Sequence, residues 1–284
     1  MMRQVHETAD LRRCVRDMRM KNAGRVAFVP TMGALHDGHL ALVKTAREHA
    51  DAVVVSIFVN PLQFGAGEDF SRYPRQVERD AALLESVGAD LLFLPSVATL
   101  FPREQAALTR VEVPGLSDVL CGASRPGHFV GVTTIVAKLF NLVQPDVAVF
   151  GEKDFQQLTI IRRMVSDLDF AIEIVAQPTA READGLAMSS RNAYLSADEC
   201  ARAPALYAML QNVAARLRAG ERDFGFLQAE GAAALQAAGF SPDYVAIRRA
   251  DDLGEAGEED IALVVLAAAR LGQTRLIDNI QVAA

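Results

Sequence analysis

Two histidines three residues apart carry the densest chemistry in this chain, in the segment 30–39, PTMGALHDGH. Residues 25–29 (RVAFV) before it read as a buried strand that ends at Pro30, and 39–50 (HLALVKTAREHA) as a helix with Leu40, Val43 and Ala46 on one face. The segment is thus a strand–turn–helix junction, where Gly33 and Gly38 permit a tight turn or a close backbone approach. A helix N-terminus presents free N–H groups and a positive dipole end, which suits a phosphate. His36 and His39 can face one ligand there. Their imidazoles can donate to phosphoryl oxygens and spread developing negative charge. Two other readings stay open: a turn with two surface histidines, and a two-His zinc site, which lacks a third ligand and the i, i+4 spacing.

Three further segments could meet that ligand. In 56–64 (SIFVNPLQF) a strand ends at Asn60-Pro61, followed by Gln63. An amide there can bind a hydroxyl and a carboxylate together, although Asn-Pro also simply forms turns. The polar stretch 64–75 after it reads as a flap over a site, with Tyr73 a surface aromatic. In 151–158 (GEKDFQQL), after a strand at 146–150, Lys153 can neutralise phosphate and Asp154 can accept from ribose hydroxyls. Gln157 lies one helical turn on; a solvated charged turn is the alternative. In 185–192 (GLAMSSRN), Ser189, Ser190 and Arg191 make a compact anion clamp, or else a polar loop between domains. Arg125 and His128 of RPGHF precede a helix as pocket residues or without a task.

The elements that must hold these segments follow from hydrophobic patterning. Strands are expected at 53–59, 90–94, 146–150 and 171–175, and helices at 77–87, 130–143 and 155–168. This alternation predicts an α/β, Rossmann-like, mostly parallel sheet with helices on both faces and ligands at the strands' carboxyl ends. After about residue 180 the pattern changes to Ala-rich helices at 196–219 and 223–238, with Ser196 and Glu199 as a capping box. Short strands follow near 243–248, 262–268 and 273–280, so residues 1–179 read as one domain and 180–284 as a smaller C-terminal α+β domain closing over the site. The chain has 284 residues, 51% of them hydrophobic, and a net charge of −7, which argues against disorder and against non-specific nucleic-acid binding. Its three widely spaced cysteines, Cys14, Cys121 and Cys200, fit neither a disulfide framework nor a zinc site. No membrane span or signal segment is expected, and the setting reads as cytoplasmic.

Taken in order from about residue 24 to residue 197, PTMGALHDGH, VSIFVNPLQF, RPGHF, FGEKDFQQL and EADGLAMSSRN resemble the pantoate–β-alanine ligase family. The HxGH element alone would indicate only the wider nucleotidyltransferase superfamily, in which MSSR takes the place of a KMSKS-like loop. The resemblance implies condensation of pantoate with β-alanine through a pantoyl adenylate, with ATP as substrate, Mg²⁺ beside it, and a homodimer. It implies an ATP site of Met32, Gly33, Ala34, Leu35, His36, Asp37, Gly38 and His39, then Gly151, Glu152, Lys153 and Asp154, then Ala180, Met188, Ser189, Ser190 and Arg191. His36, His39, Lys153 and Arg191 would be catalytic, with His39 in the place of the family's proton donor. Gln63, Gln157 and Asn60 would hold pantoate and β-alanine. No metal-ligating protein residue is expected. Ala180 stands where the family commonly has Val, and a main-chain contact there would survive the change. Nucleotidyl transfer to a phosphate ester is the competing reading; it leaves Gln63 and Gln157 unexplained. A non-catalytic ATP sensor is the third, and it would not need the full set of charge-stabilising groups.

Overall fold

The computed structural model describes residues 2–22, 24–65, 67–104 and 107–283. In chain order the elements are β1 (Arg3–Val5), α1 (Thr8–Asn22), β2 (Val26–Thr31), α2 (Asp37–His49), β3 (Ala52–Ile57), α3 (Val77–Ser86) and β4 (Leu91–Phe93). There follow α4 (Val97–Leu100), α5 (Cys121–Ser124), α6 (His128–Val143), β5 (Val147–Gly151), α7 (Phe155–Asp167) and β6 (Glu173–Gln177). The rest comprises α8 (Ala197–Arg202), α9 (Ala205–Arg218), α10 (Phe224–Ala237), β7 (Ser241–Arg249), β8 (Ala262–Leu271) and β9 (Thr274–Ala283).

Strands β1 to β6 form one parallel sheet in the order β1-β4-β3-β2-β5-β6. Alternation along each central strand explains why both faces are covered. Val26, Phe28, Val54 and Phe93 point to the side of α1, α6 and α7. Ala27, Val29, Val53 and Leu92 point to the side of α2 and α3. After β2 the chain runs to β3 on one side, and later to β5 on the other, so the order reverses between β2 and β5. That is where an open α/β sheet leaves a crevice at its carboxyl edge.

Several sequence expectations are corrected here. Pro30 does not end the strand: it pairs with Ser56, and Thr31 with Ile57. Pairing of β2 with β5 stops at Phe28, so the proline sits where only one flank is laddered. The helix read over 196–219 is two, α8 and α9, because Pro204 has no N–H to continue the first. Its capping box is present, with Glu199 N–H donating to Ser196 Oγ and Ser196 N–H donating to Glu199. β1 and α1 were not foreseen. Cys14 and Cys121 are buried, Cys200 is exposed, and none is in a disulfide.

Strands β7-β8-β9 make an antiparallel sheet. One of its faces packs under α9 and α10, while Ala246, Val264, Leu266 and Ala268 join the apolar cluster of α6 and α7. A further close contact positions the substrate side. A Cβ on Gly131 of α6 would lie 2.2 Å from Leu62 O, so helix and turn touch through backbone. Gly131→Ala is therefore expected to destabilise the fold by about 1–3 kcal/mol. Denaturant unfolding measures this, and an unchanged midpoint would show that the turn yields freely.

Candidate active site

A cavity of about 360 Å³ lies at the carboxyl edge of β2 and β5 and is roofed by residues 177–194 and the start of β9. Its floor is the turn after β2. Gly33 has φ +84°, and a Cβ there would meet Ile57 Cγ2 at 2.9 Å. The turn is held by Asp80 of α3, a fully buried carboxylate that accepts from Ala34 N–H at 2.8 Å and Leu35 N–H at 2.9 Å. Those two amides are thereby spent. Gly33, Ala34 and Leu35 lie beneath the cavity rather than on its wall, and Asp37 is exposed on the first turn of α2. Met32, His36, Gly38 and His39 do line it.

Gly38 is where it is because a Cβ would lie 2.9 Å from His36 Cε1. The His36 and His39 rings lie against each other, with centroids 4.1 Å apart and planes tilted by 50°. The His36 N–H donates to His39 Nδ1 at 3.3 Å, which leaves the proton of neutral His39 on Nε2. Burial first, then the neighbouring His36 and Lys153, pushes His39 down to about 3. Burial and Lys153 push His36 down to about 4. Both are thus neutral hydrogen-bond donors near pH 7.

Gly151, Lys153, Asp154 and Gln157 form the second wall, at the end of β5 and the start of α7. Glu152 is not part of this lining. Among the described residues, neither Lys153, Asp154 nor Gln157 makes a side-chain hydrogen bond or ion pair, so these groups are free for a ligand. Gln63 is prearranged: Asn60 Nδ2 donates to its Oε1 at 3.0 Å, and its Nε2 donates to Met32 Sδ at 3.0 Å. Asn60 also lines the cavity, and it supports Gln63 from below. It is 1% exposed, and its amide is consumed by Gln63, Gly131 O and Leu62 N–H.

Of residues 64–75, Phe64, Gly67, Glu68, Asp69, Arg72 and Tyr73 line the cavity, and the segment is tied at two adjacent acids. Arg125 forks onto Glu68 at 2.7 and 2.6 Å, and Arg191 forks onto Asp69 at 2.9 and 3.0 Å. Burial alone would raise the Glu68 carboxyl, yet Arg125 holds it down to about 2. The Arg191 guanidinium is therefore already occupied by an internal anion. Ala180, Met188, Ser189 and Ser190 line the same side, and Ser190 Oγ donates to Ala34 O at 3.0 Å. Tyr73 is no surface aromatic. It is 5% exposed, under the Arg191 guanidinium, and burial raises its hydroxyl. His128 bridges Gln63 O at 2.7 Å and Arg125 at 3.0 Å, and burial and Arg125 push it down to about 4.

His36, His39 and His128 are each held below the usual histidine value of 6.5. The unfolded chain binds protons there that the folded chain refuses. Stability should be intact above pH 6.5 and fall as pH drops from about 6.5 to about 3, with uptake of up to three protons on unfolding. Denaturation at pH 7 and pH 5 tests this; equal stability at both would refute the neutral imidazoles.

Sequence reading missed Asp80, Asp69 and Glu68. Asp80 sits on a helix and Asp69 and Glu68 in a polar loop, with no local sign of their partners, which lie far along the chain. Fold and cavity together fit an α/β enzyme that takes its ligand at the carboxyl edge of the sheet, between two neutral imidazoles, an unpaired ammonium and a hydroxyl-bearing loop. A family model described as "Pantoate-beta-alanine ligase" matches residues 3–281. The chain is 59% identical over 256 residues to pantothenate synthetase of Pseudomonas entomophila, covering 90% of this chain and 89% of that one. The crystal structure of pantothenate synthetase from Thermus thermophilus is similar with a TM-score of 0.91 and 48% identity, over 98% of this chain and 99% of that one. Pantoate-β-alanine ligase from Francisella tularensis, complexed with β-γ ATP and β-alanine, is similar with a TM-score of 0.81 and 32% identity, over 99% and 97%. The chain belongs to the pantoate–β-alanine ligase family, whose reaction is the ATP-dependent condensation of pantoate and β-alanine. No helix among the described residues is long and apolar enough to cross a membrane.

Proposed function

We propose that this ligase works in two displacements through a pantoyl adenylate. A pantoate carboxylate oxygen attacks the α-phosphorus of ATP and pyrophosphate leaves. The neutral amine of β-alanine then attacks the acyl carbon, AMP leaves with the bridging oxygen, and the amine proton passes to solvent. The first step brings two anions together, so positioning and charge dispersal are the main tasks. His36 and His39 donate to phosphoryl oxygens as neutral imidazoles, Lys153 neutralises them, and Arg191 joins once it exchanges Asp69 for phosphate. Gly151 and Asp154 face the nucleoside, Ala180 and Met188 to Ser190 cover it, and Gln63 and Gln157 hold pantoate. Residues 180–284 act as the smaller domain that closes over the site.

Mg²⁺ accompanies the nucleotide in this reading. Among the described residues no group of three or more His, Cys, Asp or Glu side chains could hold a metal by itself. An ion held mainly by phosphates and water needs no such group. When bound, the ion would neutralise phosphate charge. The three unpaired thiols suit a reducing cytoplasm, and the family resemblance supports a homodimer, which analytical ultracentrifugation tests.

The observation that carries the reading is the convergence of two neutral imidazoles, an unpaired ammonium and a free amide on one cavity. Carboxyl-¹⁸O pantoate, ATP, Mg²⁺ and β-alanine test it. AMP carrying one ¹⁸O is expected, and unlabelled AMP would overturn the adenylate.

A further inference from the structure

Lys153 stands on a single tight turn, Glu152–Asp154, between β5 and α7. No side chain among the described residues steers its ammonium, so its direction is set by the backbone beneath it. That backbone is gripped from the other sheet. Asn279 of β9, 6% exposed, spends both amide protons on consecutive carbonyls of the turn, Glu152 O at 2.8 Å and Lys153 O at 3.0 Å. The grip is stiff. Asn279 is paired with Leu266 in the β8–β9 ladder, and its own N–H donates to Asp278 Oδ1 at 2.8 Å. The Asp278 carboxylate, 3% exposed as a residue, receives Arg181 at 2.6 and 3.0 Å, and that guanidinium lies 3.5 Å over the Tyr207 ring.

We propose that Asn279 is a positioning residue for adenylation: its two-carbonyl clamp fixes the turn that aims Lys153 at the triphosphate. The inference rests on the assignment of Lys153 to the phosphates. It also gives the small sheet a task in the first displacement, although Asn279 touches no substrate in this scheme. Asn279→Asp is the sharp variant, because it keeps the shape but replaces two donors with an oxygen that repels both carbonyls.

Single-turnover pyrophosphate release from Mg-ATP and pantoate is to be measured for the unaltered protein, Asn279→Asp, Lys153→Ala and the double variant. Asn279→Asp is expected to slow the step by about 10–100-fold, the scale of misplacing a reacting group by an ångström. The pantoate KM should stay within about twofold. In the Lys153→Ala background the same change should cost less than about threefold, since an effect transmitted through one side chain vanishes with it. Asn279→Ser keeps one donor and should fall between; it carries the same comparison where Asn279→Asp does not fold. Equal losses in both backgrounds, or no loss in the first, overturn the clamp while leaving the phosphate role of Lys153 standing. A Lys153→Ala protein as fast as the unaltered one overturns both.

Discussion

Replacing His39 by alanine should slow pyrophosphate release from ATP and pantoate by about 10²–10³-fold, the loss that follows removal of one preorganised donor from a developing charge. The geometry adds a finer expectation. Nδ1 of His39 is occupied by the His36 N–H, and burial keeps the ring neutral, so what it offers the ligand is an Nε2–H. A glutamine amide can place an N–H in nearly the same position. His39→Gln is therefore expected to recover roughly tenfold of the alanine loss. Rapid-quench measurement at saturating substrates distinguishes the cases. An alanine variant with undiminished adenylation would remove His39 from the chemistry, and a glutamine variant as slow as alanine would show that a charged imidazole is needed.

Arg191→Ala is the second large effect, with an expected loss of about 10²-fold in kcat/KM for ATP. Here the ion pair makes an opposite-sign companion. Because the guanidinium is already forked onto Asp69, a phosphate must displace that carboxylate, and its apparent affinity is reduced by the free energy of the pair. Asp69→Asn weakens the competitor, so KM for ATP is expected to fall by about 3–10-fold. Initial rates over a range of ATP decide it. An unchanged KM in Asp69→Asn would mean that the pair stays intact when nucleotide binds.

What the sequence made legible is what short-range pattern can encode. Most of the runs RVAFV and VVVSIFV falls in β2 and β3, short of Arg25, Phe58 and Val59, because continuous β-branched and aromatic residues suit a strand covered on both faces. The His36–His39 spacing put both rings on one turn because helical geometry is local. The 15-residue α1 was harder to see: its buried side, Leu11, Cys14 and Val15, is narrow and lies among arginines. Asp80, Arg191 and Asn279 were illegible in role because their partners lie 45 or more, 122 and 126 or more residues away. An acid or amide that satisfies distant backbone looks no different, in one dimension, from one that faces water. Gly33 is the local case: of the tight turn and the close backbone approach that its sequence position permits, the structure shows the turn, with φ +84° under the floor.

The apolar seam joining Ala246, Val264, Leu266 and Ala268 to Phe140 and Leu158 bears on how this architecture can diversify. A module grafted from a relative would bring its own bumps and hollows to that seam, and densely packed interiors tolerate such mismatch poorly. Inheritance of the two layers should therefore be joint, with substitutions on one side answered on the other, and new specificities arising in the rim loops rather than by exchange of the whole carboxyl-terminal piece.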